Sequence, residues 1–433
     1  MSSHCSGNEF SPHYRHNFIC FVLDYIFYGI SMAFVNLTAV LPSFISQLTD
    51  SAPLIGLAST IQTGAWFLPQ LIAASHLAGK ARRKPYMLLA AAIGRPVFWL
   101  LAGVLFLAGD RAPALILGVL FVSLAVFMST DAIASVAWFD ILGKAIPPTR
   151  RGRLIGTGQV LSGLLTMGAG AVVNAVLGPY GPPFPNNYAL LFFLAGLFLF
   201  LSWLAMSFLY EPPGPTQEQR LPWNAFLPKL WTVLKENRTF SLVIAVRLLT
   251  GLSGMAMPFY VIYATEELHF SAETIGVFIT FQVAGSILGG FLWGYLNERS
   301  GSKIVIQCSI ITAIVSPLLA LLIRPMSHLA ETSPIYVYYL IFLAIGALNN
   351  SFMPGPINFV LELAPSEERP IYVALINTLC GSLMVVPFLG GWLLQATSYP
   401  VLFLTTMGGV AIALVLTFGL EEPRQKTGEA VEV

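Results

Sequence analysis

Four ionisable residues, Asp24, Arg95, Asp131 and Arg247, lie inside stretches of sequence that are otherwise apolar. In the middle of a bilayer such a residue costs roughly 2.5–3.5 kcal/mol, so each is expected to face the inside of a helix bundle and to have a partner. Two carboxylates and two guanidiniums support two kinds of chemistry. They can form permanent ion pairs. Alternatively, a carboxylate whose arginine leaves it in one conformation can take up a proton there and release it in the other. The sequence leaves both readings standing.

Depth suggests how they pair. Arg95 is 10 residues past Pro85 and Asp131 is 11 before Leu142, which at 1.5 Å per residue puts both about 15 Å from the same end of their helices. An Arg95–Asp131 pair is expected. Asp24 and Arg247 sit six and seven residues into their apolar runs, both about 10 Å deep, which makes a second pair.

The elements that carry these residues follow from composition. The chain has 433 residues, 56% hydrophobic and only 10% charged. A soluble domain carries about 25% charged residues, and disorder needs fewer apolar residues still. The expectation is an all-α polytopic membrane protein. A helix needs roughly 20 apolar residues to cross a bilayer, and twelve such runs can be marked. They are Phe18–Phe44, Pro53–Leu77, Pro85–Leu107, Pro113–Leu142, Leu154–Leu177, Tyr188–Leu209, Phe240–Tyr263, Ala272–Leu296, Ile304–Ile323, Ile335–Leu363, Pro370–Ala396 and Pro400–Leu420. The runs are too continuous for a β-barrel, and the first has neither the length nor the flank of a cleaved signal.

Basic residues test the map independently. Of 22 Lys and Arg, 18 fall in alternate connections, only Arg111 and Arg324 fall in the others, and Arg95 and Arg247 are inside helices. By the positive-inside rule both termini are expected in the cytoplasm of a cell (plasma or inner) membrane. The domains are then an N-terminal tail (1–17), a first six-helix bundle (18–210), a polar linker (211–238), a second bundle (239–420) and a C-terminal tail (421–433). Within the linker, Trp223, Phe226, Leu227, Leu230, Trp231 and Leu234 recur at helical spacing, which suits either a surface helix or an irregular linker.

The two halves repeat. Pro147 and Arg151 after the fourth run match Pro365 and Arg369 after the tenth at an offset of 218, and Lys84 matches Lys303 at 219. Asp131 then corresponds to Asn349, and Asp140 to Asn358. Six helices repeated in one orientation give two pseudo-symmetric bundles about an axis along the membrane normal, with a solute site between them.

The loop after the eighth run reads Gly294-Tyr-Leu-Asn-Glu298-Arg299-Ser-Gly301-Ser-Lys303. It resembles the G-x-L-x-D-R-x-G-R-K loop of the major facilitator superfamily, with Glu298 in the acidic place. The first-half loop, Ser75–Pro85, departs from that pattern at Gly79 and Arg82. The resemblance implies a loop whose glycines permit close helix approach and whose charges close the cytoplasmic side. The candidate gate residues are Gly294, Glu298, Arg299, Gly301 and Lys303, with Asp140 as the substitute acid for Arg83 or Arg151. It also implies that the fourth and tenth helices line the cavity, which puts Asp131 and Asn349 there, and that the first and seventh face each other across it, as an Asp24–Arg247 contact requires. Pro387–Gly391 resembles part of a motif of proton-coupled drug antiporters of that superfamily, but stands in the other half.

The expected function is secondary transport of a small solute by alternating access, with protons as the candidate coupling ion. A sensor or scaffold of the same fold and a membrane-embedded lipid-modifying enzyme are the alternatives. No P-loop and no HExxH motif occur, and a net charge of +1 points away from nucleic acid. No cofactor is called for, and a monomer in the lipid bilayer is expected. The four cysteines are far apart, and His4, Cys5, His13 and His16 in the tail are read as solvated rather than metal-binding.

Overall fold

The computed structural model describes residues 13–77, 80–109, 111–212, 235, 237–327, 334–365 and 369–423. The expected linker helix at Trp223–Leu234 and the tail residues His4 and Cys5 lie outside the described residues. Among the described residues there are helices and no strands.

The first half consists of α1 (Tyr14–Phe34), α2 (Ala52–Leu77), α3 (Lys84–Ala108), α4 (Pro113–Ala145), α5 (Pro148–Leu177) and α6 (Asn186–Ser207). The second consists of α7 (Arg238–Glu267), α8 (Thr274–Ser300), α9 (Ser302–Ser327), α10 (Pro334–Leu363), α11 (Arg369–Cys380 continuing through a 3-10 turn into Val386–Ala396) and α12 (Tyr399–Thr417). All but α2 contain a stretch long and apolar enough to cross a bilayer, and α2 is 26 residues long with Pro69 inside it. Their outward faces carry Leu100, Phe106, Val122, Leu164, Phe291 and Val415, all exposed. An apolar belt of this kind belongs against lipid, because water would exact the full cost of exposing it. This is an integral membrane protein.

Proline opens several helices, as at Pro113, Pro148 and Pro400, where its missing N–H would have had no partner anyway. The first expected run, Phe18–Phe44, is not one helix. It stops at Phe34 and resumes as a short helix, Val40–Ser46. The Asn36 side chain accepts the Thr38 N–H at 3.0 Å, giving the backbone a local turn in place of the helical bond.

The helix contacts obey the repeat. In the first half α1 packs on α5 and α6, α2 on α4, and α3 on α4 and α6. In the second α7 packs on α11 and α12, α8 on α10, and α9 on α10 and α12. Adding six to each label of the first list gives the second. Between the halves, α5 packs on α8 and α2 on α11, and the same operation exchanges these two seams. The molecule is therefore two pseudo-symmetric six-helix bundles.

Both seams depend on close backbone approach. A Cβ on Gly276 of α8 would collide with the Gly170 carbonyl of α5, and one on Gly56 of α2 with the Pro387 carbonyl of α11. Small residues allow such contact between helices in lipid, where burial of apolar surface no longer drives association. Asn174 adds a bond to the Glu273 carbonyl at 2.8 Å, and Gln395 accepts the Ala52 N–H at 3.0 Å.

The two ends of the molecule differ. At the end away from the basic loops, one continuous apolar core runs through both halves, from Phe44, Phe98 and Phe192 to Phe259, Phe278 and Phe403. At the basic end the core divides. Phe21, Met87 and Ile141 belong to one cluster within the first half, and Phe240, Phe359 and Ile376 to another within the second. Gly156 on α5 and Gly294 on α8 each have open space where a Cβ would go. The halves are thus joined at one end and parted at the basic one.

Candidate functional site

A cavity of about 300 Å³ lies between the halves, lined from the first by Leu37, Thr38, Gln62 and Thr63, and from the second by Arg247, Thr250, Ser253, Asn349 and Phe352 among others. Three second-half helices leave regular α-geometry where they border it. α7 tightens into a 3-10 turn at Leu252–Met255, α10 widens into a π-turn at Met353–Ile357, and α11 passes through a 3-10 turn at Gly381–Val385. Irregular backbone at membrane depth is tolerated where it lines a cavity, and π-turns are concentrated at functional sites. Other irregular turns occur, at Arg95–Pro96 in α3 and Tyr263–Glu267 in α7, but these three meet at one cavity.

Of the expected pathway residues, Arg247 and Asn349 line this cavity. Arg247 lies nine residues into α7 from Arg238, about 14 Å along its axis. Its guanidinium stacks over the Phe352 ring at 4.7 Å, and its Nε is buried with no hydrogen-bond acceptor. Above the cavity, on the sealed side, Gln282 of α8 accepts from Asn36 at 3.1 Å and from Thr38 at 3.0 Å, tying the halves together.

The other three charges are elsewhere, inside the first bundle. Arg95, 5% exposed, donates to the Leu199 carbonyl and the Ser202 hydroxyl of α6, both at 2.9 Å. Its nearest carboxylate is Asp24, at 4.0 Å. Asp24 also accepts from Ser202 and, at 2.8 Å, from the Trp138 indole. Asp131 is buried too, and accepts from the Tyr28 hydroxyl at 2.9 Å.

Both expected pairings are therefore corrected. Arg95 is paired with Asp24 and not with Asp131, and Arg247 pairs with neither aspartate. Height along a helix was matched correctly, but direction around the axis was not. α3 breaks at Arg95–Pro96, and the guanidinium turns onto α6. Asp24 turns the same way, toward α4 and α6, and so never reaches α7. The correspondence between Asp131 and Asn349 holds in sequence only: Asn349 faces the cavity at the point where α10 breaks, while α4 is continuous through Asp131.

At the basic end, Arg83 and Lys144 both pair with Asp140 at 2.5 Å. Glu211, buried just past α6, accepts the backbone N–H of Arg83 at 2.7 Å and of Lys84 at 2.8 Å, and lies 3.5 Å from the Lys144 ammonium. It satisfies N–H groups that the start of α3 leaves without helical partners. The Lys84 ammonium donates to the Leu209 carbonyl at 2.6 Å. The second half repeats this: Glu422 accepts the Lys303 N–H at 3.0 Å, and the Lys303 ammonium donates to the Leu420 carbonyl at 2.6 Å. Glu211 and Glu422 were not among the expected site residues. The signal was present as Leu209-Tyr-Glu211-Pro and Leu420-Glu-Glu422-Pro, one at the end of each half.

Comparison with known proteins places this architecture. A family model described as Major Facilitator Superfamily matches residues 242–433. A bacterial homologue of the iron transporter ferroportin, crystallised in an inward-facing state, superposes with a TM-score of 0.68 over 94% of this chain and 98% of its own, at 15% identity. The second half of the chain is thus similar to the Major Facilitator Superfamily, and the whole chain shares the fold of these transporter structures. A nucleoside transporter superposes at 0.67, with 15% identity and coverage of 93% and 99%. An inward-open structure of the xylose transporter of E. coli superposes at 0.66, with 13% identity and coverage of 96% and 97%. Curated relatives include uncharacterized proteins of Mycobacterium tuberculosis and Mycobacterium bovis, each 23% identical over 299 residues, or 66% of this chain. The match spans 57% of those relatives' length.

The loop after α8 departs from the expected charge network. Arg299 donates to the Tyr295 hydroxyl at 2.7 Å, and Glu298 is exposed with no ion pair among the described residues. The acid that meets this loop is Glu422, against which a Cβ on Gly301, at φ +85°, would also collide. Ser302 donates to Glu362 at 2.9 Å; by the repeat these stand where the first half has Arg83 and Lys144, the two cations that share Asp140. Arg151 does not pair with Asp140. It donates to the carbonyls of Gly143 at 2.5 Å and Ile146 at 3.0 Å, closing the turn between α4 and α5.

Proposed function

We propose that this protein is a secondary transporter that moves a small solute by alternating access, with the cavity between the halves as its solute site. One observation carries the reading: a single core seals one end across both halves, two cores stand apart at the other, and a cavity with both polar and apolar lining lies between. A rocking of one bundle on the other about this cavity exchanges the sealed and open ends. The distribution of Lys and Arg supports a cytoplasmic assignment for the open end and for both termini, in the cell membrane. Structural neighbours named as carriers of nucleosides, xylose and iron fit a small solute.

Protons are the proposed coupling ion, carried by the Asp24–Arg95–Asp131 cluster. Fully ionised, two carboxylates and one guanidinium leave one negative charge within the first bundle. One proton neutralises it. Asp131, whose observed donor is a neutral phenol, is the proposed carrier. Release would follow if the rocking motion brought water or Arg95 closer to it.

Reconstitution into proteoliposomes tests the reading. Accumulation of a labelled solute against its gradient, driven by an imposed pH difference, is expected. Solute binding without flux would instead favour the sensor reading, and turnover of lipid would favour the enzyme.

A further inference from the structure

Among the described residues, Arg95 and Arg247 both lie at membrane depth, and they differ in whether a carboxylate stands beside them. Arg95 donates to a carbonyl and a hydroxyl and has a carboxylate 4.0 Å away, although its Nε, like that of Arg247, has no acceptor. Arg247 faces a cavity, and its Nε has no acceptor. Among the described residues no carboxylate lies within ion-pair distance of it. The Phe352 ring beneath the guanidinium offers a weak attraction and fixes its plane. It leaves the planar N–H fork without the oxygen pair that this geometry suits. A desolvated cation without an anion is costly, and here it stands at the wall of a space large enough for a molecule to supply one.

We propose that the central cavity binds a small organic monoanion, a carboxylate with a short apolar body, through Arg247. The inference gives the substrate class for the transport reading above, and rests on that reading only for what happens to the solute after binding. The lining accounts for each part of the description. Arg247 is the sole basic residue among the lining groups, so one negative charge is neutralised and a second would be stranded. Thr250, Ser253 and Asn349 flank it with hydroxyl and amide groups for the carboxylate's remaining lone pairs. Met257, Ile310 and Phe352 form apolar wall for the body of the solute. The space of about 300 Å³ is at the small end of ligand pockets and holds a few-carbon or single-ring acid, not a nucleotide. The breaks in α7 and α10 fall at this wall: Ser253 lies in the 3-10 turn and Phe352 directly precedes the π-turn, and both line the cavity.

The test uses the purified full-length protein and defined probes. Benzoate and butyrate are the anions, benzamide and butyramide the neutral isosteres, and benzylamine the cation. At millimolar concentration at least one anion is expected to raise the melting temperature by about 2–5 °C, as a ligand specific to the folded state must. The neutral and cationic probes are expected to leave it unchanged. Arg247→Gln abolishes the shift and Arg247→Lys retains part of it. Without any probe, Arg247→Met is expected to melt at or above the wild-type temperature, because an unpaired charge has been removed. The proposal is overturned if no anion stabilises the protein, if benzamide or benzylamine does so equally, or if Arg247→Gln keeps the shift. It is also overturned if Arg247→Met and Arg247→Gln fail to fold, since the arginine would then have had a structural partner. Transport is scored separately in proteoliposomes. Benzoate or butyrate that binds through Arg247 but is not carried refutes the transport reading alone. Uptake of a neutral or cationic solute untouched by Arg247→Gln refutes the anion site alone.

Discussion

Glu211 and Glu422 do the same work at the ends of the two halves: each reaches back from the chain beyond α6 or α12 to accept the N–H groups that open α3 or α9. Beside each, a lysine of the opening turn closes onto a carbonyl two residues upstream of the glutamate, at the same 2.6 Å.

Glu211 is the more deeply placed of the two, and it also meets Lys144. Hydrogen bonds to a charged acceptor contribute about 1.5–3 kcal/mol each way. Glu211→Gln is therefore expected to destabilise the protein by about 1–3 kcal/mol, and Glu422→Gln by less. Thermal melts in detergent, with tryptophan fluorescence as the signal, read the difference. Equal melting of Glu211→Gln and wild type would mean the carboxylate holds nothing.

Arg95 and Asp24 depend on one another. Replacing one partner of a buried pair strands the other, at a cost of about 3–5 kcal/mol. Arg95→Met is expected to lower stability by that order. The double variant Arg95→Met/Asp24→Asn should recover a large part of the loss, because no carboxylate is then left over. Strict additivity of the two single losses would argue that they are not coupled.

Asp131 can be separated from solute binding, since it lies outside the cavity lining. Asp131→Asn keeps the shape of the side chain and a group that can still meet Tyr28. Counterflow exchange of solute is expected to survive, while accumulation driven by a pH difference is lost. Should both persist with wild-type pH dependence, the aspartate is structural.

The parted end makes a prediction about closure. Gly170 of α5 meets Gly276 of α8 at the sealed end. Counting fourteen residues along two antiparallel helices from that contact brings Gly156 to the level of Gly290, one turn from Gly294, and Gly156 and Gly294 each now have open space. In a cysteine-free background, Gly156→Cys/Gly294→Cys is expected to cross-link only when the basic end closes, and the cross-linked protein should lose accessibility from that side. Rapid disulfide formation in the conformation described above would contradict the parted arrangement. In the same background, Arg299→Ala or Glu298→Ala should bias the protein toward the open-basic-end state, and labelling of a cavity cysteine from the basic side reads it.

How much of this was legible in the sequence depends on what one-dimensional spacing encodes. Apolar run length gave the helices, and the offset of Lys84 to Lys303 gave the repeat, because both are translations along the chain. The heights of Arg95 and Asp131 were equally readable. Their partners were not, since the rotation of a side chain about its helix depends on neighbours such as α6 that spacing does not locate. Pro96 was the available hint that α3 would bend at Arg95. Glu211 was assigned to the linker because it is charged and follows the last apolar residue. Its burial comes from orphan N–H groups at the start of a distant helix, a demand that only the folded arrangement creates. Asn349 was found through its counterpart Asp131, yet the two ended in different environments once α10 broke and α4 did not.

The seams of α2 on α11 and α5 on α8 hold the molecule together by contact alone, with no covalent bond crossing either. Two separately translated pieces, residues 1–212 and 235–433, should find one another in a shared bilayer and rebuild the complete molecule.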